Sequence, residues 1–355
     1  MRRYIAVSLH VKMFKSDFFT PVIMIFIILF SLISFGGVYL YKKIAIKFGI
    51  VANPNYRTLH ELPVPRGGGV IFALLFTFSI LALWGVDELS DQIFYMFGVG
   101  GFIATLFGFI DDVKNIRARI KLIVQLLLSG WVVYWLYISN LLLLNWAPIF
   151  IIIPACLFFM VWMMNAYNFM DGVDGMAASG AIFLSLTLAL VLFLTNSSVE
   201  LMTIFIFIAV TVGGFIVFNW PPATIFMGDA GSVFLGYIFG SLLLFTVFNN
   251  DISIWSWLTV FGYFFADTTV TQITRIILVK KWYLAHRSHA YQNLARITDS
   301  HLKVTRGVVL YNLVWSLPLA IWSALQPEMG MVTTILSISP ALVVAYKYGP
   351  VFSSS

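Results

Sequence analysis

The sequence predicts an all-α membrane protein that crosses the bilayer about eleven times. Its 355 residues are 61% hydrophobic and only 10% charged, with a mean hydropathy of +0.95. A soluble globular protein carries roughly 25% charged residues. Long apolar runs recur along the chain, and runs of about 17–25 residues span a bilayer as helices. They are too long and too continuously apolar for the strands of a membrane barrel, so helices are the expected spanning elements.

The apolar runs define the predicted spans in chain order. They cover residues 21–41, 69–85, 92–110, 120–138, 148–165, 176–195, 201–218, 232–248, 253–274, 308–325 and 331–347. No polar stretch between them is long enough for a soluble domain, so we expect one integral membrane domain over residues 1–355. The single cysteine, Cys156, lies in an apolar run, which excludes an internal disulfide and favours a small buried residue.

The loops between the spans differ sharply in charge. The odd-numbered loops hold sixteen of the 21 lysines and arginines, and the even-numbered loops hold none. The positive-inside rule therefore places the odd loops and the C-terminus in the cytoplasm and the N-terminus outside. Four basic residues before the first span disagree with this topology, but sixteen outweigh them. The loops expected to carry the chemistry lie at about 42–68, 111–120, 166–175, 219–231 and 275–307.

Five aspartates stand near the ends of spans in three of these loops, within "GFIDDVKN", "NFMDGVDG" and "NWPPATIFMGDAGS". They are Asp111, Asp112, Asp171, Asp174 and Asp229. A lone loop aspartate is usually only solvated, but the second and third of these loops contain no basic residue, and crowded carboxylates are unfavourable unless they share a cation. Oxygen ligands without cysteine favour Mg²⁺ or Mn²⁺ over Zn²⁺, and Mg²⁺ usually binds through one or two carboxylates plus substrate phosphates. The pattern predicts a metal-bound diphosphate at the membrane surface.

The backbone around these aspartates is suited to orienting their side chains. Gly172 and Gly175 permit tight turns, and Asp174 and Ser232 stand where the next spans are expected to begin, which is where N-caps belong. Exposed N–H groups at such helix starts attract phosphate. Basic residues of the first, third and ninth loops supply positive charge opposite such an anion. For most of these residues, however, setting the membrane topology is a sufficient explanation.

The ninth loop contains "AHRSHAYQNL", which brings His286, Arg287 and His289 together on the most basic loop. Zinc would require more ligands nearby, so contact with an anion or a sugar is the favoured interpretation. Asp267 lies inside a predicted span. An acid at membrane depth is a functional candidate by default, but a structural hydrogen bond to a neighbouring helix explains it equally well.

Together, these motifs resemble those of the polyprenyl-phosphate N-acetylhexosamine-1-phosphate transferases, glycosyltransferase family 4. The resemblance extends over roughly residues 40 to 306, in the same order and on the same predicted face. It implies that Asp229 is the principal Mg²⁺ ligand, with Mn²⁺ as an alternative, and that Lys121 reaches the phosphates. Asp111, Asp112 and Asp171 are the implied catalytic carboxylates, with their division of roles left open.

The resemblance also implies a set of residues that contact the substrates. Asn168 pairs with Asp171 on the inner loop, Asn219 stands near the diphosphate, and Phe226 stacks on uracil. The uridine-side loop is formed by Gly172, Val173 and Asp174. In the basic loops, the further substrate contacts are Arg57, His60, Arg287 and His289.

Two departures from the family's peptidoglycan branch bear on the donor. Where that branch has a lysine three residues after the second aspartate, this chain has Asn115, and a run of histidines is replaced by "HRSHAYQ". Both departures argue against a muramoyl-pentapeptide donor, and "HRSHAYQ" is similar to the O-antigen-initiating branch, whose donors are UDP-GlcNAc or UDP-linked 6-deoxy-amino sugars.

The implied partners are a UDP-amino sugar, undecaprenyl phosphate and membrane lipids, but no nucleic acid; a homodimer is left open. The implied location is the bacterial cytoplasmic membrane, with the active site on its cytoplasmic face. Two alternatives are a membrane prenyltransferase, whose aspartate motifs have different spacing, and a secondary transporter, which would place its charges near the bilayer midplane.

Overall fold

The computed structural model describes residues 21–52, 63–142, 147–278 and 287–350. Within these ranges the chain is almost entirely helical, and its only strands are β1 (Val51–Ala52) and β2 (Val64–Pro65), which form a two-residue antiparallel pair. The predicted all-α class is therefore confirmed for the part of the chain that is described.

Thirteen α-helices follow one another in the described ranges, and a 3₁₀ turn at Pro327–Met329 precedes the last of them. They are α1 Pro21–Lys47, α2 Gly69–Gly85, α3 Asp91–Lys114, α4 Ala118–Ile138, α5 Ile149–Met170, α6 Met176–Leu194, α7 Val199–Asn219, α8 Gly228–Phe248, α9 Ile254–Val260, α10 Gly262–Leu278, α11 Ala290–Thr298, α12 His301–Leu325 and α13 Gly330–Tyr348. Helix α3 contains a π-helical segment at Phe94–Val99, and α12 contains one at Asn312–Ser316.

Among the described residues, nine helices are long and apolar enough to cross a membrane. The predicted second span corresponds to the shorter apolar helix α2. The span predicted over residues 253–274 is interrupted at Phe261, where the chain passes from α9 to α10. Near this interruption the Ser337 hydroxyl donates to the Thr259 carbonyl at 2.7 Å, and side chains that bond to helix carbonyls are a recognised cause of kinks.

Helix α8 lies at the centre of the bundle. Every residue from Ala230 to Thr246 is buried, and α8 packs against α2, α3 and α5. A helix that is apolar around its whole circumference is expected to be enclosed by other elements. Its first turn, beginning at Gly228, is the part that meets the polar residues of the candidate site.

Glycines bring α2 and α3 close to this first turn. A Cβ at Gly69 would lie 2.6 Å from the backbone nitrogen of Gly231, and a Cβ at Gly108 would lie 2.7 Å from the Cα of Ala230. Neither separation is possible for real atoms, so both positions require glycine. Small residues at such contacts allow the helix backbones to approach closely, and here they place the C-terminal end of α3 against the N-terminal end of α8.

The polar loops are shorter than the sequence predicts, because the helices extend into them. Asp111 and Asp112 belong to α3, Asn168 to α5 and Asn219 to α7. Helix α8 begins at Gly228, so Ser232 lies inside it rather than at its N-cap. The predicted site residues are therefore mounted on the ends of helices.

Candidate active site

Asp229 lies at the centre of the polar cluster, in the first turn of α8. One carboxylate oxygen accepts a hydrogen bond from Asn168 Nδ2 at 2.8 Å, and the other lies 2.9 Å from Lys121 Nζ. The same Asn168 amide lies 3.0 Å from the hydroxyl of Ser232. Its side chain is 26% exposed, so Asp229 remains accessible to a ligand.

Lys121 bridges two carboxylates. Its ammonium pairs with Asp111 as well as with Asp229. Helix α3 ends at Lys114, where Asn115 adopts the left-handed conformation, with φ 50°, that closes a helix C-terminus. The other oxygen of Asp111 accepts the backbone N–H of Ile116 at 2.7 Å, which turns the chain into α4.

Asp112 has a different environment from its neighbour. Its two oxygens accept the backbone N–H groups of Asp229 and Ala230, both at 3.0 Å. A side chain of α3 therefore caps the N-terminus of α8, and its negative charge also complements the helix dipole there. The guanidinium of Arg66 donates to the Asp112 carbonyl and lies 3.2 Å from Asn115 Oδ1. This geometry gives Asp112 the position of a residue that holds Asp229 in place.

These environments predict different effects for the two neighbouring aspartates. Asp112→Asn turns an amide donor toward a backbone N–H, so we expect it to lower the free energy of unfolding by about 1–3 kcal/mol. Asp111→Asn keeps an acceptor for Ile116 and should mainly reduce turnover. Thermal unfolding in detergent, followed beside a turnover assay, separates the two effects. Equal stability of the two variants would contradict the capping role of Asp112.

Asp171 follows the last residue of α5 and completes a group of four carboxylates. Desolvation raises the pKa of Asp171 well above its ordinary value, and the charges of Asp229 and Asp112 raise it further. A hydrogen bond from the backbone amide of Gly228 offsets part of this rise. The charge of Asp171 is thus disfavoured by its negative neighbours, and a nearby cation would relieve this repulsion.

The carboxylate group fits a divalent cation. Among the described residues, no three His, Cys, Asp or Glu side chains form a complete protein-only metal site, but Mg²⁺ typically needs only one or two carboxylates plus substrate phosphates. All donors are oxygens, and the Lys121 ammonium already bridges Asp111 and Asp229. The chemistry and the excess negative charge therefore suit Mg²⁺ or Mn²⁺ held by Asp229.

Asp174 and Asn219 connect loops beside the cluster. The Asp174 carboxylate accepts the Ala223 N–H at 2.9 Å and lies 3.1 Å from His301 Nδ1, while its carbonyl accepts from Thr305 Oγ1 at 2.7 Å. Asn219, only 2% exposed, accepts the Gly175 N–H at 3.1 Å and donates to the Ile225 carbonyl at 3.0 Å. The structure thus engages both side chains in holding loops, and the substrate contacts that the family resemblance implies for them remain predictions.

The remaining residues of the inner loops differ in exposure. Gly172 is exposed, and a Cβ there would lie 2.6 Å from Gln292 Nε2. Val173 is 3% exposed and packs in the core. Phe226 is half-buried, and its backbone pairs with Pro65 and Gly68. Gly172 and Phe226 thus remain at the surface of the site, whereas the Val173 side chain packs in the hydrophobic core.

The helix starts are less available to anions than the sequence predicts. At α8, the N–H groups of Asp229 and Ala230 are engaged by Asp112. At α6, the N–H of Gly175 bonds to Asn219 and that of Met176 to the Val173 carbonyl. The expectation that these N–H groups bind phosphate is therefore not supported, since internal acceptors have taken them.

Asp267 is buried and caps another helix. Its two oxygens accept the backbone N–H groups of Ala290 and Tyr291, each at 3.1 Å, and Oδ1 also lies 3.2 Å from His289 Nδ1. The hydroxyl of Tyr291 then donates to the carbonyl of Phe169. Asp267 thus anchors α11, and Tyr291 connects α11 to the end of α5, next to Asn168.

The basic-loop residues are only partly described. Arg57, His60 and His286 lie outside the described residues, and their predicted contacts remain predictions. Arg287 is half-buried, with its carbonyl accepting from Arg296. His289 is 1% exposed. The position of His289 differs from the accessible one predicted from the sequence, because Asp267 holds it inside the protein.

Several residues beside the site were not predicted from the sequence. Arg66 donates to the Asp112 carbonyl, Tyr291 donates to the Phe169 carbonyl, and Asn165 donates to Gln125. The last pair had a signal in the sequence, because Gln125 follows Lys121 by four residues and Asn165 precedes Asn168 by three, which are spacings that share one helix face.

Comparison with known proteins gives consistent results. A model of the family described as glycosyl transferase family 4 matches residues 94–247, the stretch that contains every residue from Asp111 to Asp229 discussed above. A relative in Bacillus subtilis (strain 168), named probable undecaprenyl-phosphate N-acetylglucosaminyl 1-phosphate transferase, is 28% identical over 287 residues, which cover 78% of each chain.

Two further relatives carry related names. An undecaprenyl-phosphate alpha-N-acetylglucosaminyl 1-phosphate transferase of Thermotoga maritima is 27% identical over 75% of this chain and 80% of its own. A phospho-N-acetylmuramoyl-pentapeptide-transferase of Clostridium beijerinckii is 31% identical over 65% of this chain and 74% of its own. With this degree of identity and coverage, and with the family's motifs assembled around Asp229, the chain belongs to glycosyl transferase family 4, the polyprenyl-phosphate hexosamine-1-phosphate transferases.

Proposed function

We propose that the protein transfers an N-acetylhexosamine 1-phosphate from a UDP-sugar to undecaprenyl phosphate and releases UMP. The observation that carries the proposal is the Asp229 carboxylate, held by Lys121 and Asn168 among further aspartates at one end of the helical bundle. Family membership favours this reaction over the prenyltransferase and transporter alternatives.

The reaction exchanges one diphosphate for another. An oxygen of the acceptor phosphate bonds to the sugar-side phosphorus of the donor, the bond from that phosphorus to the bridging oxygen breaks, and UMP leaves with the electron pair. The second pKa of a phosphomonoester is about 6, so the acceptor is mostly dianionic at pH 7 and needs no obligatory general base. The main barrier to overcome is repulsion between two phosphate groups.

The residues of the site suit this task. Lys121 supplies a fixed positive charge beside Asp229, and Asn168 holds the Asp229 carboxylate in one orientation. Positioned charges of this kind lower the barrier without reorganising during the reaction. Mg²⁺ or Mn²⁺, held by Asp229 with Asp111 or Asp171 nearby, would supply further neutralisation of the phosphates. Asp112 caps the first turn of α8 and so holds the backbone of Asp229 in place.

The donor sugar and the cellular role belong to the same proposal. We place the active site on the cytoplasmic face of the bacterial cytoplasmic membrane, where a soluble UDP-sugar meets the lipid acceptor. The donor would be UDP-GlcNAc or a UDP-linked 6-deoxy-amino sugar, with Arg287 as a sugar or phosphate contact. The product would start a lipid-linked envelope glycan such as O-antigen.

The proposal predicts a metal-dependent and reversible reaction. Purified protein with undecaprenyl phosphate and a panel of radiolabelled UDP-amino sugars should release UMP when Mg²⁺ is present and lose that activity in EDTA. Excess UMP added to the lipid product should regenerate UDP-sugar, because similar bonds are broken and made. The same panel identifies the preferred sugar.

Two results would count against the proposal. Full activity in EDTA would remove the divalent cation from it. Failure to release UMP from any UDP-amino sugar, in protein shown to be folded, would contradict the reaction itself.

A further inference from the structure

Two amide side chains face each other between α4 and α5. Asn165 Nδ2 donates to Gln125 Oε1 at 3.0 Å and to the Val161 carbonyl at 2.7 Å. Gln125 Nε2 lies 3.5 Å from Asn165 Oδ1. Gln125 is 6% exposed and Asn165 is half-buried. Amides removed from water are costly unless they are paired, so each side chain strongly favours the arrangement in which the other is opposite.

The pair lies one helical turn from the cluster at Asp229. Lys121 precedes Gln125 by four residues on α4, and Asn168 follows Asn165 by three on α5, so each donor shares a face with one amide. Helix α4 packs mainly against α5. The two donors reach different oxygens of one carboxylate, at 2.9 and 2.8 Å, and the relative register of the two helices sets how far each donor lies from its oxygen.

We infer that Gln125 and Asn165 are positioning residues that fix the register of α4 against α5, so that Lys121 and Asn168 meet Asp229 together. This inference rests on the proposed function for its kinetic consequence. Interhelical amide pairs are a recognised means of joining helices in membranes. A displacement of α4 along α5 would move Lys121 away from Asp229 while leaving the apolar packing of α4 largely intact.

The test uses single and exchanged variants of the full-length protein. Asn165→Leu and Gln125→Leu should lower kcat by roughly 10- to 100-fold, the cost of a displacement of about 1 Å, with a smaller change in the KM for the UDP-sugar. The double variant Gln125→Asn with Asn165→Gln keeps a facing amide pair and should recover most of the lost rate. Ser129→Ala is the matched control, since the Ser129 hydroxyl bonds within its own helix to the Gln125 carbonyl.

A second measurement does not depend on activity. Labelling of Lys121 by an amine-reactive reagent, quantified by peptide mass spectrometry, reports whether its ammonium is still held between Asp111 and Asp229. We expect faster labelling in both leucine variants, and wild-type rates in Ser129→Ala and in the exchanged pair.

The outcomes separate this inference from the proposed function. If the folded leucine variants show wild-type labelling of Lys121, or if the exchanged pair behaves like the single variants, the inference is overturned. If the wild-type protein releases no UMP from any donor, the proposed function fails, and the labelling experiment still tests the amide pair.

Discussion

Asp229→Asn should abolish UMP release while leaving the protein folded, with a loss of at least about 10³-fold in kcat. The substitution keeps the size of the side chain and one oxygen, but removes the negative charge that faces Lys121 at 2.9 Å and Asn168 at 2.8 Å. A neutral amide is a poor ligand for Mg²⁺. Turnover should be measured as UMP released from the preferred donor, with gel filtration to verify folding.

A control for this variant lies at the other end of the same helix. Asp251 follows α8 and accepts hydrogen bonds from Ser197 and Asn249, at 3.0 and 2.7 Å. Asp251→Asn should retain wild-type turnover. An Asp229→Asn protein that works at near wild-type rates would remove Asp229 from the metal site and with it the main support for the proposed chemistry.

Lys121→Met should reduce kcat/KM by about 10²- to 10³-fold. The variant deletes the fixed positive charge between Asp111 and Asp229 and keeps most of the length of the side chain. Two carboxylates without their ammonium should attract a divalent cation more strongly. We therefore expect activity to fall while the Mg²⁺ concentration for half-maximal residual activity also falls.

The matched control is Lys114→Met, which removes an exposed lysine from the end of α3. It should leave both the rate and the Mg²⁺ dependence unchanged. If Lys121→Met instead required more Mg²⁺, the lysine would be assisting the metal rather than competing with it for the carboxylates.

The cluster itself was largely predictable from the sequence. Asp111, Asp171 and Asp229 lie at the ends of spans on the same predicted face, which is consistent with the cluster that the structure forms. Lys121 and Asn168 were predicted from the family resemblance, and in the structure both donate hydrogen bonds to the Asp229 carboxylate. The aspartates were visible in the local sequence because each lies near the end of an apolar run.

The features that were not predictable depend on contacts between distant segments. Helix α8 begins at Gly228 because Asp112, more than a hundred residues earlier, caps it. Asp267 caps α11 in the same way, which is why His289 is buried. A capping side chain that comes from another helix leaves no signature in the sequence around the helix that it starts. The interruption between α9 and α10 likewise lies beside a contact from a distant segment, the bond from Ser337 of α13 to the Thr259 carbonyl.

The enclosure of α8 also constrains the order in which the protein is assembled. The three helices that α8 contacts most, α2, α3 and α5, all precede it in the chain, so they are synthesised before it. Because α8 carries Asp229 on its first turn, the site is incomplete until this helix enters the space between the others. A nascent chain that stops short of α8 would hold Lys121, Asn168 and the earlier aspartates without the carboxylate around which they are arranged.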